Sequence, residues 1–239
     1  MVSLRSMAQC AGVSGNFSLL QNFFGYRHGQ PRFSINGNGL PVSTLHQVKA
    51  LQGKHINLDI ILVGGDAFLP DHLYAIDYSL YKTREIYATV GLGIGRISYS
   101  LITVAEADGL HQVSDDKDTK KLRRKYRGPH DDALDVFIVL DFNLEEDGVN
   151  LLGIARIDVS DNKDAYHADG VVMGVRYGGG SDLGAVFMGP VLAHEVGHCL
   201  GLEHSETPGN LMFAAWSGLS LTLDQGQTML EHEFVQPGC

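Results

Sequence analysis

The chain has 239 residues, enough for one substantial core with a small appendage. With 44% hydrophobic and 19% charged residues, no low-complexity tract and no apolar run of the roughly 18 residues that a bilayer span requires, the composition predicts a soluble globular protein that does not cross a membrane. Asp and Glu outnumber Lys and Arg by 28 to 18, and the net charge of -10 opposes sequence-independent attraction to nucleic acid or anionic lipid.

Residues 1 to 54 are rich in Gly, Ser, Asn and Gln, with turn signals such as INGNGLP at 35–41, and read as an N-terminal appendage of unknown role. Their beginning lacks the apolar stretch of roughly 7 to 15 residues that a secretory signal needs, so no signal peptide is encoded in the residues shown. From 55 to 239 the pattern is that of a folded domain. NLDIILVG at 57–64 predicts a strand, and IDYSLYKTREIYATVG at 76–91 a helix with the stripe Ile76, Leu80, Thr83, Tyr87 and Val90, for which Asp77 is the expected N-cap. Within it GLGIG at 91–95 begins, too degenerate for a dinucleotide fingerprint. ISYSLITV at 97–104 predicts a second strand. A charged insertion spans 106–131, where the basic KKLRRKYR at 120–127 follows the acidic SDDKD at 114–118 and reads as a solvated face instead of a binding patch. LDVFIVLDF at 134–142 is a continuous apolar run, as expected for a central strand covered on both faces. NLLGIARID at 150–158 and GVVMGVRY at 170–177 predict two more strands. The three cysteines, Cys10, Cys199 and Cys239, make no zinc-ribbon or redox spacing and allow at most one bridge.

HEVGHCLGLEH at 194–204 then crowds three histidines and two glutamates into a segment with helix signals. Pro190 suits a first helical position and Gly201 a left-handed position past the last turn, so a helix is expected over about 190–200. His194 and His198 fall one turn apart on one face, roughly 5 to 6 Å between Cβ atoms, a span that one metal ion bridges with both imidazoles. Leu192, Val196, Cys199 and Leu200 form the apolar back that anchors the helix in the core. A continuing helix would carry His204 about 240° around the axis from His198, whereas a turn at Gly201 returns it to the same ion. Three neutral imidazoles leave the fourth position of a zinc ion open to water, as in catalytic sites. Zinc lowers the pKa of such water from about 15.7 to about 7, and Glu195, beside the first ligand, is placed to act as general base in peptide-bond hydrolysis. A helix with scattered surface histidines is the plainer reading. Five specified positions at about one in twenty each arise by chance about once in three million starts, which favours the metal site.

HEVGHCLGLEH matches HExxHxxGxxH, the zinc signature of metzincin-clan metalloendopeptidases, and the chain resembles matrixins in particular. His204, Ser205, Pro208, Leu211 and Met212 follow the matrixin pattern HSxxPxxLM, in which Met212 would be the methionine of a tight turn beneath the metal. Phe213 stands where other metzincins place an extra tyrosine contact. The resemblance covers about 55–239 and is specific only at 194–212. It implies an α+β, sandwich-like metzincin fold: a twisted, mostly parallel five-stranded sheet with one antiparallel edge strand, an active-site helix and a C-terminal helix. NLLGIARID would be the edge strand that pairs with an extended substrate, and LDQGQTMLEHEF, ending at residue 234, the C-terminal helix. Trp216 would line the pocket after the scissile bond, with ordinary packing as the alternative reading.

The function implied is zinc-dependent endopeptidase, acting through a zinc-bound water with Glu195 as general base and His194, His198 and His204 as ligands. Its partners would be protein or peptide substrates, its setting extracellular by resemblance, and its state monomeric. A zinc-holding binding module without turnover and a zinc amidohydrolase on a non-peptide substrate are the alternatives. Some features depart from the matrixin pattern. AAW at 214–216 replaces the usual proline-containing segment, and His130, Asp131, His167 and Asp169 have the residue types but not the spacing of the second matrixin zinc site. A further metal would be calcium on the Asp-rich loop at 158–170, which fails the strict EF-hand pattern. QCAGVSG around Cys10 keeps only the cysteine and a nearby glycine of the matrixin latency segment, so Cys10 is not expected to block the zinc.

Overall fold

The computed structural model describes residues 53–129, 132–146, 149–156, 170–178, 180–214 and 218–238. Apart from Gly53 and Lys54, the N-terminal appendage lies outside the described residues, and so do Cys10, Cys239 and Trp216.

Strand β1, His55–Val63, is buried along its whole length. Helix α1, Pro70–Ala88, follows and leads to β2, Gly93–Ile102. The single turn α2, Val104–Ala107, the two-residue β3, Gln112–Val113, and helix α3, Asp116–Lys125, fill the region read as a charged insertion. Then come β4, Ala133–Phe142, the short antiparallel pair β5, Glu145–Glu146, and β6, Val149–Asn150, and β7, Gly153–Arg156. Strands β8, Gly170–Tyr177, and β9, Ser181–Asp182, lead into helix α4, Ala185–Cys199, and the chain closes with helix α5, Leu223–Glu231.

The five long or edge-forming strands lie in the order β2-β1-β4-β8-β7, with β4 central as its apolar run requires. The first four are parallel and β7 runs antiparallel to β8. The small strands β3 and β9 attach to β4 and β8, which brings the expected five strands to seven. Side chains alternate across the sheet and build two cores. Ile56, Leu58, Ile60, Leu62 and Ile138 face α1 and α4 on one side. Ile61, Val63, Phe137, Val139 and Val172 meet Leu122 of α3 on the other. The inner strands β1, β4 and β8 thus bury side chains on both faces, and the sheet is the middle layer of an α/β sandwich.

Three local expectations are corrected. Helix α1 starts at Pro70, not near Asp77, because proline suits the first position and the His72 ring accepts the N–H of Leu69 at 3.1 Å, in place of a side-chain cap from Asp77. Helix α4 starts five residues before Pro190, which therefore lies inside it. The basic run at 120–127 is not wholly a solvated face: Leu122 is fully buried and Arg123 is 4% exposed. Its charge pattern follows from the helix, with Asp115 capping the start and accepting from the Asp118 N–H at 2.8 Å, Asp116 and Asp118 in the first turn, and Arg123, Arg124 and Lys125 in the last. That polarity complements the helix dipole.

Helix α4 is seated against α1 by close backbone approach. The Tyr87 hydroxyl donates to Ala193 O at 2.7 Å, and Gly189 lies where a Cβ would stand 2.8 Å from Lys82 Cβ. Leu192, Val196, Cys199 and Leu200 are all buried in the same core. The opposite face of α4 is left for chemistry.

Candidate metal centre and active site

Helix α4 ends in a Schellman turn. Gly201 has φ +86, its N–H bonds His198 O at 3.0 Å, and the Leu202 N–H bonds Gly197 O at 3.0 Å. The left-handed residue reverses the chain, so that His204 meets the two helical histidines. Ring centroids are 4.7 Å apart for His194 and His198, 5.3 Å for His194 and His204, and 4.7 Å for His198 and His204. One nitrogen from each ring lies within 4.8 Å of the others, and this is the one cluster of three or more ligating side chains among the described residues. His204 is exposed while His194 and His198 are half-buried, so the cluster opens to solvent on one side.

Two backbone carbonyls orient the rings. His194 Nδ1 donates to Leu211 O at 2.8 Å, and His198 Nδ1 donates to Leu202 O at 2.7 Å. A carbonyl oxygen only accepts, so each Nδ1 carries the proton and each neutral ring turns a bare Nε2 toward the other. These two nitrogens are 3.1 Å apart. Burial drives the His194 ring down to about 4 and also lowers His198, with the neighbouring histidines adding to the effect and the carbonyls opposing it. Two uncharged rings presenting lone pairs to each other at that distance repel unless a cation lies between them. The donor set of three imidazoles with outer-shell carbonyls fits zinc.

Glu195 lies on the same helix and is 9% exposed. Burial pushes its carboxyl up to about 8, opposed by a hydrogen bond from the backbone N–H of Ala155 on β7. Gly153, two residues earlier, packs against it so tightly that a Cβ there would stand 2.9 Å from Glu195 Cγ. The edge strand thus touches the carboxylate directly. Neither Gly153 nor Ala155 stood out in the sequence, because the contact is made by a main-chain donor and by a missing side chain.

Met212 is fully buried beneath the helix, and a Cβ on Gly197 would lie 2.9 Å from its sulfur. The preceding carbonyl of Leu211 serves His194, and Met212 O accepts from the Ser205 N–H at 2.8 Å. The structure therefore brings His194, Glu195, His198, His204 and Met212 together. Trp216 lies outside the described residues, as do His130, Asp131, His167, Asp169 and the Asp-rich loop up to residue 169.

The matrixin family profile matches residues 154–231, about a third of the chain. No curated protein sequence matches it. Among solved structures, the fold is similar to the crystal structure of metalloproteinase-II from Bacteroides fragilis, with 14% identity and a TM-score of 0.48 over 95% of this chain and 70% of that one. No described helix is long and apolar enough to cross a membrane. The matched segment is the one that carries the three histidines, the buried glutamate and the methionine below them; over it the chain is similar to matrixins, which supports a metalloendopeptidase.

Proposed function

We propose that His194, His198 and His204 hold one zinc ion and that Glu195 is the general base for hydrolysis of peptide bonds in extended polypeptides. The observation that carries this reading is the pair of bare Nε2 atoms at 3.1 Å, each fixed by a carbonyl behind it. When bound, zinc supplies Lewis acidity, polarising a carbonyl and lowering the pKa of a water to about 7. Glu195 takes the proton of the attacking water, and the same carboxylic acid then hands it to the leaving amine nitrogen. A divalent cation on the adjacent histidines would hold the Glu195 carboxylate ionised despite its burial. The Ala155 N–H engages the carboxylate and limits its swing.

Edge strand β7 ends the sheet path, and an extended substrate laid antiparallel along it passes beside Glu195. That arrangement favours a peptide over a small non-peptide amide. One chain carries every group used, so a monomer suffices, and the matrixin match supports an extracellular setting. Zinc measured on the purified protein should be about one per chain, and mixed unfolded proteins should be cut internally, with cleavage stopped by a chelator. Zinc without any cleavage would support a binding module instead, and absence of zinc after zinc-replete expression would remove the site altogether.

Gly153→Ala tests the contact between strand and carboxylate. The added Cβ forces Glu195 or β7 to shift by several tenths of an ångström. Small misplacements of a reacting group cost rate steeply, so kcat/KM should fall about tenfold or more while zinc content stays unchanged. Unchanged kcat/KM on a peptide substrate would show that Glu195 needs no support from this side.

A further inference from the structure

We propose that Asn210 and Gln225 form a positioning pair for the metal centre, clamping the methionine turn to helix α5 and so fixing the carbonyl that orients His194. The inference rests on the reading that His194, His198 and His204 hold zinc. The two side-chain amides are joined by reciprocal hydrogen bonds: Asn210 Nδ2 donates to Gln225 Oε1 at 2.8 Å, and Gln225 Nε2 donates to Asn210 Oδ1 at 3.1 Å.

Each amide is also committed to a backbone group. Asn210 Oδ1 accepts from the Met212 N–H at 2.9 Å, which sets the turn at Leu211 and Met212. Gln225 Oε1 accepts from the Thr222 N–H at 2.9 Å at the start of α5. Because both oxygens are held by N–H donors, neither amide can flip without placing a donor against a donor. Asn210 is 4% exposed, so any bond it loses is not replaced freely by water. Leu211 N–H bonds Ser220 O at 2.7 Å, and Leu211 O receives the proton of His194 Nδ1 at 2.8 Å. The chain of contact runs Gln225, Asn210, the turn at 211–212, and then the metal-facing ring. Outer-shell partners of ligating histidines commonly change metal affinity by about 10- to 100-fold.

The test uses the 239-residue chain with Asn210→Ala, Gln225→Ala, the double variant, and Thr222→Ala as control. Zinc affinity is measured by competition with a chromophoric chelator, and ligand geometry by the visible spectrum of the cobalt-loaded protein. Gln225→Ala and Asn210→Ala should each weaken zinc binding about tenfold and shift the cobalt bands. Gln225 acts through Asn210, so adding Gln225→Ala to Asn210→Ala should cost less than about another twofold. Thr222→Ala removes the cap oxygen that accepts from the Gln225 N–H but leaves the amide pair, so it should lower the melting temperature and leave zinc affinity within about twofold.

Gln225 is half-buried on a helix, and alanine there is compatible with folding, so Gln225→Ala decides the matter if Asn210→Ala does not fold. A folded Gln225→Ala with wild-type zinc affinity and cobalt spectrum overturns the proposal. Thr222→Ala weakening zinc as much as Gln225→Ala does so too, because stability alone would then explain the loss. A wild-type chain that binds zinc but cuts no peptide would sink the peptidase reading and leave the clamp standing, while a wild-type chain without metal affinity would sink both.

Discussion

Glu195→Gln lowers peptide hydrolysis by about 10²-fold or more and leaves zinc content and fold intact. The expected size is that of removing a general acid/base, about 10² to 10⁴ in rate. Glutamine keeps the shape of the side chain and can still accept from the Ala155 N–H, so the contact with β7 survives. It cannot take a proton from water at neutral pH, nor return one to the leaving nitrogen. The carboxyl is almost fully buried, and replacing it by a neutral amide removes the cost of holding a charge there, so stability should be unchanged or raised. Metal analysis with steady-state kinetics on one peptide checks both halves. Full activity with one zinc per chain would reject Glu195 as the base, and loss of zinc would mean that the glutamate supports the ligands instead.

His198→Ala should lose zinc as well as activity. The variant leaves two imidazoles, one of them the exposed His204, and strands Leu202 O, which now accepts the Nδ1 proton at 2.7 Å. Affinity should fall by more than the roughly 10- to 100-fold typical of outer-shell changes, because a first ligand is gone. A ligand that binds only the folded state stabilises it by about 4.1 kcal/mol at a thousandfold excess over its dissociation constant. A chelator should therefore lower the melting temperature of the zinc-loaded wild type and leave that of His198→Ala where it was. Equal zinc content and an equal chelator effect in the two proteins would remove His198 from the ligand set.

The parts of this protein legible from sequence share a physical cause. NLDIILVG at 57–64 announces a strand, and the continuous apolar run at 134–142 announces one covered on both faces, which the sheet order places at the centre. The spacing of His194, His198 and His204, with Gly201 between, encodes a local geometry, since helix pitch and one left-handed residue decide where those rings can go. Boundaries were less legible. Pro190 is tolerated inside α4, and the start of α1 is secured by His72, whose ring also reaches Asp182 at 3.0 Å across 110 residues of chain.

What the tertiary structure alone decided is the support around the proposed ligands. The acceptors for His194 and His198 are the carbonyls of Leu211 and Leu202, and every residue has a carbonyl, so no residue type marks them. Gly153 and Ala155 meet Glu195 because an edge strand about forty residues earlier folds over the helix, and what matters there is an absent Cβ and a main-chain N–H. Likewise the amide pair of Asn210 and Gln225 joins two ordinary polar residues fifteen positions apart. Sequence by itself pointed to the proposed metal-binding chemistry, because ligands must be particular side chains at particular local spacings. Packing decided their alignment, because hydrogen-bond partners supplied by backbone and by close approach are defined only once distant segments meet.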